Sequence, residues 1–154
     1  MSVAERFSDD LKKAIKSGDN DALLVIRIIK ATIKNREIEK GSPLNDEEIY
    51  NVLQSLVRQG RESLEQFSQG DRADLAEREK RHLSIVQSYL PQQLPEKEIN
   101  RLIKEVIHDT GAKGPGEMGK VMKAIIPKVT GQADNKLVSE LVKKALAGHG
   151  SEEK

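Results

Sequence analysis

Residues 111–146 read GAKGPGEMGKVMKAIIPKVTGQADNKLVSELVKKAL, a pattern of loop, short helix, second loop and final helix. Pro115 suits the first position of a helix. The apolar residues that follow repeat at helical spacing and predict a helix that closes at Pro127, because a proline pushes the preceding residue out of the helical region. Gly131 marks the next turn, and Asp134 is predicted to cap the last helix. The stretch therefore predicts two amphipathic helices joined by a turn.

The same stretch is basic and rich in glycine. Residues 110–146 carry seven lysines against three acidic residues, a local charge of +4. The two predicted helix N-termini offer unpaired amide hydrogens and the positive end of the helix dipole, which together suit phosphate. Gly116 and Gly119 lie one helical turn apart, where ligand atoms could approach the backbone. The residues alone leave an alternative open: the glycines only make turns and the lysines only keep a surface solvated.

Helical periodicity accounts for almost all of the remaining chain. The apolar spacing predicts four helices before residue 90 and a fifth from about residue 96 to Gly111. Asn45 and Glu48 have the spacing of a capping box. Gly60 lies inside the third helix, where it costs about 1 kcal/mol relative to Ala and indicates a kink. Asp71 or Asp74 is predicted to start the fourth helix. The predicted fold class is all-α.

The clearest boundary is a pair of prolines. Pro91 and Pro95 bracket three residues, so the chain must leave the helical conformation there. We predict an N-terminal helical bundle of about four helices, a smaller C-terminal three-helix bundle and a flexible tail, at residues 1–90, 91–148 and 149–154.

The amino-acid composition excludes several kinds of functional site and partner. The chain of 154 residues has no cysteine, which excludes disulfides, thiolate metal sites and a cysteine nucleophile. Its net charge of +1 does not fit a generic polyanion binder. No apolar stretch is long enough to span a bilayer, and the N-terminus lacks an apolar run, so we expect no membrane association and a cytoplasmic location.

The residues that could support catalysis show no catalytic pattern. His82, His108 and His149 stand on three segments without ligand-like spacing, and we interpret each as a surface histidine. Acidic and basic residues alternate over residues 71–81, which favours helical i,i+4 ion pairs over metal coordination. No hydrolase, zinc-protease, P-loop or dinucleotide motif is present. We therefore predict no catalytic residue, no metal and no cofactor.

Residues 111–142 resemble the C-terminal GatB/YqeY domain, which forms the tail of the B subunit of the tRNA-dependent amidotransferase. Three further stretches resemble the small stand-alone YqeY proteins, in the same order: IRIIKATIKNREIEKG (26–41), RESLEQFSQGDRADLAERE (61–79) and YLPQQL (89–94). The chain departs from the family pattern at Gln132, which replaces a basic residue, and at Asn135, which replaces a glycine. Asn135 can still adopt a left-handed turn conformation.

The resemblance implies RNA binding without catalysis. In the amidotransferase the tail holds tRNA by its shape, while amide hydrolysis, phosphorylation and transamidation belong to parts that the resemblance does not cover. Carried over by position, the implied RNA-binding residues combine flexible cations with small backbone positions: Lys113, Gly116, Gly119, Lys120, Lys123, Lys128 and Lys136.

Other residues bear on the same prediction. A second basic face on the second predicted helix comprises Arg27, Lys30 and Lys34, for which a solvated helix face is an equal alternative. The four aromatic residues all lie on apolar faces of predicted helices, which argues against base stacking.

Three hypotheses follow for the function. The first is a non-catalytic RNA-binding or adaptor protein that engages tRNA through the C-terminal bundle and is linked to the amidotransferase. The second is an accessory protein whose N-terminal bundle docks on an amidotransferase or a translation-associated protein. The third, by family analogy alone, is a carbon-nitrogen ligase that uses glutamine as amide donor.

Overall fold

The structure is a computed structural model that describes the backbone of residues 2–152 and the side chains of residues 2–148. Within that part of the chain it contains seven α-helices, one 3-10 turn and no strand, which confirms the predicted all-α class. The chain divides into two compact units, Met1–Pro91 and Gln92–Lys154.

The N-terminal unit contains the first four helices, and local sequence signals set most of their ends. Asp19 caps the second helix through a bond from the Ala22 N–H. Asn45 and Glu48 form the predicted capping box at the start of the third. The helices are α1 (Val3–Ser17), α2 (Asn20–Lys40), α3 (Asp46–Gln69) and α4 (Ala73–Gln87).

The turn between α3 and α4 differs from the prediction. Neither Asp71 nor Asp74 caps α4, because Arg72 holds the N-cap position and makes no side-chain cap bond. Asp71 instead adopts the left-handed conformation, with φ of 58°. Asp74 lies in the first turn of α4, and its Oδ1 atom is 3.3 Å from Nε of Arg72. The hydrogen bond from Arg72, followed by one from the Leu75 amide, lowers the pKa of the Asp74 carboxyl. Asp71 therefore supplies the left-handed conformation of the turn and does not cap α4, and capping preferences alone do not predict this role.

Gly60 has a packing role. The α3 helix continues through Gly60 from Asp46 to Gln69, and Gly60 is buried. A Cβ atom added at Gly60 would lie 2.7 Å from Cδ2 of Leu83 and 3.0 Å from Oε1 of Glu79, both on α4. The glycine thus allows α4 to approach the α3 backbone closely.

The core of the N-terminal unit draws on all four helices. Tyr89, just after α4, holds α1 in place: its hydroxyl donates to Asp10 at 2.6 Å and its ring meets Phe7 edge-on, with ring centroids 4.7 Å apart. Burial, followed by the bond to Asp10, raises the pKa of the Tyr89 hydroxyl. The buried core residues are Val3, Phe7, Val25, Ile26, Ile29, Ile49, Leu53, Val57, Leu83, Val86 and Tyr89.

The C-terminal unit packs its helices around a separate core. Its elements are α5 (Glu96–Thr110), the 3-10 turn Pro115–Glu117, α6 (Met118–Val129) and α7 (Asn135–Glu152). The core is almost wholly aliphatic and consists of Ile99, Ile103, Val106, Ile107, Ala112, Val121, Ile125, Val129, Ala133, Val138, Leu141, Val142 and Leu146.

The predicted end of α6 is wrong. Pro127 lies inside the helix, which continues to Val129. Val129 is fully buried, so packing holds the last turn in place although Pro127 has no N–H to donate. The Thr130 hydroxyl also donates to the Ile126 carbonyl at 2.9 Å.

At the start of α7, the structure agrees with the prediction for Asp134 and differs from it for Asn135. The Asp134 carboxylate accepts from the Lys136 N–H at 3.3 Å, which confirms Asp134 as a cap. Asn135 is the first residue of α7, and Gly131, with φ of 74°, supplies the left-handed conformation of the turn. The backbone of α7 continues to Glu152, so of the proposed tail at 149–154 only residues 153 and 154 lie outside the described residues.

Candidate functional site

The seven residues implied by the resemblance are all exposed. Gly119, Lys120 and Lys123 lie on the outer face of α6, opposite Val121 and Ile125, because residues three and four apart share a helix face. Lys128 lies in the last turn of the same helix, about 12 Å along the axis from Lys120 at 1.5 Å per residue. The structure therefore groups four of the seven residues on one helix.

The other three residues lie on elements before and after α6 in the same unit. Lys113 is in the loop before the 3-10 turn, Gly116 is inside that turn, and Lys136 is in the first turn of α7. Among the described side chains, none of the five lysines forms an ion pair. We call the seven residues the lysine surface. Its cations are available to an external anion, because no internal carboxylate engages them.

An acidic residue stands at each helix N-terminus beside the lysine surface, but only the carboxylate at α7 bonds an amide of its helix. Glu117 directly precedes α6, and its carboxylate accepts from the Lys113 N–H. Asp134 occupies the start of α7 through Lys136 N–H. A phosphate at either position would meet a negative charge, and at α7 it would also compete with Asp134 for the Lys136 N–H. The arrangement favours the lysine side chains over the helix N-termini as phosphate contacts, a distinction that the sequence analysis missed.

The fold does not require glycine at positions 116 and 119. Neither residue has a positive φ, and a Cβ atom added at Gly116 or Gly119 would meet no atom within 4 Å. By contrast, Gly111 and Gly131 have positive φ values of 72° and 74°. Gly111 ends α5, and Gly131 forms part of the turn before α7. A left-handed turn conformation therefore explains glycine at positions 111 and 131 but not at positions 116 and 119.

The aromatic residues are not placed for base stacking. Phe7 and Tyr89 are 1% and 4% exposed, and Tyr50 and Phe67 are partly buried on α3. No aromatic side chain lies in the C-terminal unit, whose sequence contains no Phe, Tyr or Trp after residue 91. Any RNA contact by the lysine surface would therefore be with phosphate and sugar.

The second basic face lies on α2 in the N-terminal unit. Arg27, Lys30 and Lys34 are all exposed there, and the Lys30 ammonium donates to the Ser8 hydroxyl at 3.4 Å. Another side of α2 borders a cleft of about 200 Å³ between α2, α3 and α4. We call it the α2–α4 cleft; its lining is Val25, Ile28, Ile29, Leu56, Gln59, Gly60, Ser63, Glu79, His82, Leu83 and Val86.

His82 is not the surface histidine that we expected. Its side chain is 14% exposed, and its Nε2 atom lies 3.0 Å from Oδ1 of Asp21. The Arg81 guanidinium also donates to Asp21, at 3.2 Å. The bonds from His82 and then Arg81 lower the pKa of the Asp21 carboxyl. The partners are 60 and 61 residues apart, so no local spacing in the sequence could have revealed the cluster.

The ion pairs of residues 71–81 also differ from the expected i,i+4 pattern. Arg72 pairs with Asp74, Lys80 pairs with Glu77 three residues away, and Arg81 pairs with Asp21 on α2. His108 is exposed, whereas the side chain of His149 lies outside the described residues. Within the described residues, no three His, Asp or Glu side chains come together as a candidate metal site.

The sequence of residues 4–146 matches the model of the family described as YqeY-like protein. The chain belongs to this family. The match covers both units and includes every residue of the lysine surface and of the second basic face.

Curated relatives of this YqeY-like chain are fungal proteins named "Altered inheritance of mitochondria protein 41, mitochondrial". The protein from Pyrenophora tritici-repentis is 29% identical over 147 residues, with 94% of this chain and 81% of that protein aligned. Those from Eremothecium gossypii and Lachancea thermotolerans are 37% and 33% identical and align with 54% and 69% of this chain. The chain spans about half the length of these last two, at 46% and 58%.

The relatives' names carry a mitochondrial location, which differs from the cytoplasmic location that we expected for this chain. None of the helices within residues 2–152 combines the length and the apolar character that crossing a bilayer requires.

Proposed function

We propose that this YqeY-like protein binds structured RNA, with tRNA as the preferred class, through the lysine surface of its C-terminal unit. The observation that carries the proposal is the combination of five exposed lysines without ion-pair partners and two exposed glycines that the fold does not require. Cations on flexible stems suit phosphate oxygens, and small residues let a ribose-phosphate backbone approach the protein backbone.

In the proposed complex, the lysine surface recognises the shape and the charge of the RNA and not its base sequence. Lysines contact phosphate without distinguishing bases, and the unit contains no Phe, Tyr or Trp ring on which an unpaired base could stack. A folded RNA presents phosphates at fixed spacings, whereas a flexible strand must lose entropy to match them. The proposal therefore predicts a preference for folded RNA over a single strand of equal length.

The biological role in this proposal is that of a non-catalytic adaptor linked to the tRNA-dependent amidotransferase, as the resemblance implies. The proposed compartment is the cytoplasm, with mitochondria as the alternative that the relatives' names support. The proposal assigns the chain no part in the amidotransferase reaction itself, because amide hydrolysis, phosphorylation and transamidation belong to parts of the amidotransferase that the resemblance does not cover.

Reversal of charge on α6 tests the proposed surface. The double variant Lys120→Glu with Lys123→Glu is expected to bind a folded tRNA transcript at least about ten-fold more weakly than the unchanged protein, since it removes two phosphate contacts and adds two repulsive charges. Lys97→Glu with Lys104→Glu is the matched control, because both residues are exposed on α5 of the same unit and change the net charge equally. Equal losses in both double variants would show that only overall charge matters and would refute the site.

A further inference from the structure

An exposed apolar stripe runs along α2, outside the core of the N-terminal unit. Leu24, Ile28 and Ile38 are 37%, 45% and 70% exposed. At 100° per residue they lie within about 80° of one another around the helix. Ala31 and Asn35, both exposed, fall between them on the same face. The α2 helix is thus apolar on two sides, one packed into the core and one facing outward.

The stripe leads into the α2–α4 cleft. Ile28 belongs to both, because it is exposed and also lines the cleft beside Val25 and Ile29. The cleft volume of about 200 Å³ is below the range of about 300–1,000 Å³ that small-molecule sites occupy. The cleft therefore suits one or two aliphatic side chains better than a nucleotide or a cofactor.

The flank of the stripe that lies away from the cleft is basic. Arg27 and Lys34 follow the stripe at about 60–80° around the helix, both are exposed, and neither forms an ion pair among the described residues. On the cleft side Arg81 and His82 both engage Asp21, and Glu79 adds a carboxylate to the cleft lining. The free positive charge therefore lies on the flank away from the cleft, where it complements acidic residues along one flank of a partner.

We infer that the stripe and the cleft together bind an amphipathic helix of a partner protein, with apolar residues at i, i+3, i+4 and i+7 and acidic residues along one flank. Such a helix inserts apolar side chains into a groove and leaves its charged flank at the rim. An RNA on Arg27 and Lys34 would leave Leu24, Ile28 and Ile38 in water, so the combination of apolar and basic groups favours protein. This inference concerns the N-terminal unit and is independent of the proposed RNA surface.

The test uses the full chain and a fluorescein-labelled peptide with leucines at i, i+3, i+4 and i+7, glutamates along one flank and glutamines elsewhere. A peptide of the same composition, with its leucines spread around the helix, serves as the control ligand. We expect saturable anisotropy for the first peptide only. Ile28→Asp and Leu24→Asp should each weaken binding at least about ten-fold, because each places a charge in the apolar groove.

Ile15→Asp is the matched control variant, since Ile15 is a similarly exposed isoleucine, 57% exposed on α1, away from the cleft lining. Circular dichroism at the binding temperature confirms that each variant is folded before its affinity is compared. Absence of saturable binding, or equal effects of Ile28→Asp and Ile15→Asp, would overturn the inference. It would also be overturned if Arg27→Glu with Lys34→Glu weakened binding of folded tRNA and left peptide affinity unchanged, since the face would then be an RNA site.

Discussion

Leu83 of α4 packs directly over Gly60 of α3, where an added Cβ atom would lie 2.7 Å from Leu83 Cδ2. Gly60→Ala is therefore expected to destabilise the protein although alanine favours helix. Overpacking a core costs about 1–3 kcal/mol, and the helix propensity of alanine returns up to about 1 kcal/mol. We expect a net loss of about 1 kcal/mol in the free energy of unfolding, measured by urea denaturation.

A double-mutant cycle shows whether Leu83 causes that loss. A Leu83→Ala background removes the nearest atom, Leu83 Cδ2, and leaves the flexible Glu79 carboxylate at 3.0 Å, so Gly60→Ala should be neutral or stabilising there. The same loss in both backgrounds would mean that the helix contact is not what selects glycine at position 60.

The Asp21 cluster predicts a pH dependence of stability. The bonds from His82 and Arg81 lower the folded-state pKa of Asp21 below its ordinary value of 3.8. A carboxyl whose pKa is lowered by folding contributes stability that is present above the unfolded pKa and is lost as the pH falls through the folded pKa. The melting temperature of Asp21→Asn should therefore lie below that of the unchanged protein near neutral pH, and the two melting temperatures should converge as the pH falls below 3.8.

Asp9→Asn is the control for this series. Among the described residues, Asp9 pairs only with Lys13, one turn away on α1, at 3.0 Å, and both side chains are exposed. Such surface substitutions change stability by about 0.5 kcal/mol or less. If the difference in melting temperature between Asp21→Asn and the unchanged protein stayed constant down to acid pH, the charge of Asp21 would not be the source of the stabilisation.

Gly119→Ala separates stability from binding at the lysine surface. Position 119 is helical, exposed and free of neighbours within 4 Å, so alanine should raise the free energy of unfolding by up to about 1 kcal/mol. If the glycine serves close approach of RNA, the same substitution should lower tRNA affinity several-fold. A variant that is more stable and binds tRNA equally well would remove Gly119 from the proposed site.

Much of the fold could be predicted from the sequence because its signals are local. Apolar periodicity and the Asn45–Glu48 pair lead directly to helices and their ends. The errors arose where a distant contact prevails over a local preference: burial of Val129 carries α6 past Pro127, and Asp71 takes a left-handed conformation that capping rules do not specify. The packing of Gly60 against Leu83 likewise depends on a neighbouring helix.

The candidate site shows the same division. Exposure of the lysines on α6 follows from helical spacing and was predictable. The carboxylates of Glu117 and Asp134 at the helix N-termini were visible in the sequence only as charges, and their bonds to Lys113 and Lys136 amides required coordinates. The contact between Asp21 and His82, which are 61 residues apart, could not be predicted from a single sequence.

The most direct test of the central claim is a titration of the full chain with a folded tRNA transcript at about 50 and 200 mM salt, with a scrambled RNA of equal length as control. The account predicts a clear preference for the folded RNA. It also predicts a loss of roughly a hundred-fold in affinity between the two salt concentrations, if about four phosphates are contacted at a slope near −0.9 per contact. Weak binding that is equal for both RNAs would contradict the account and leave the lysine surface as a solvated helix face.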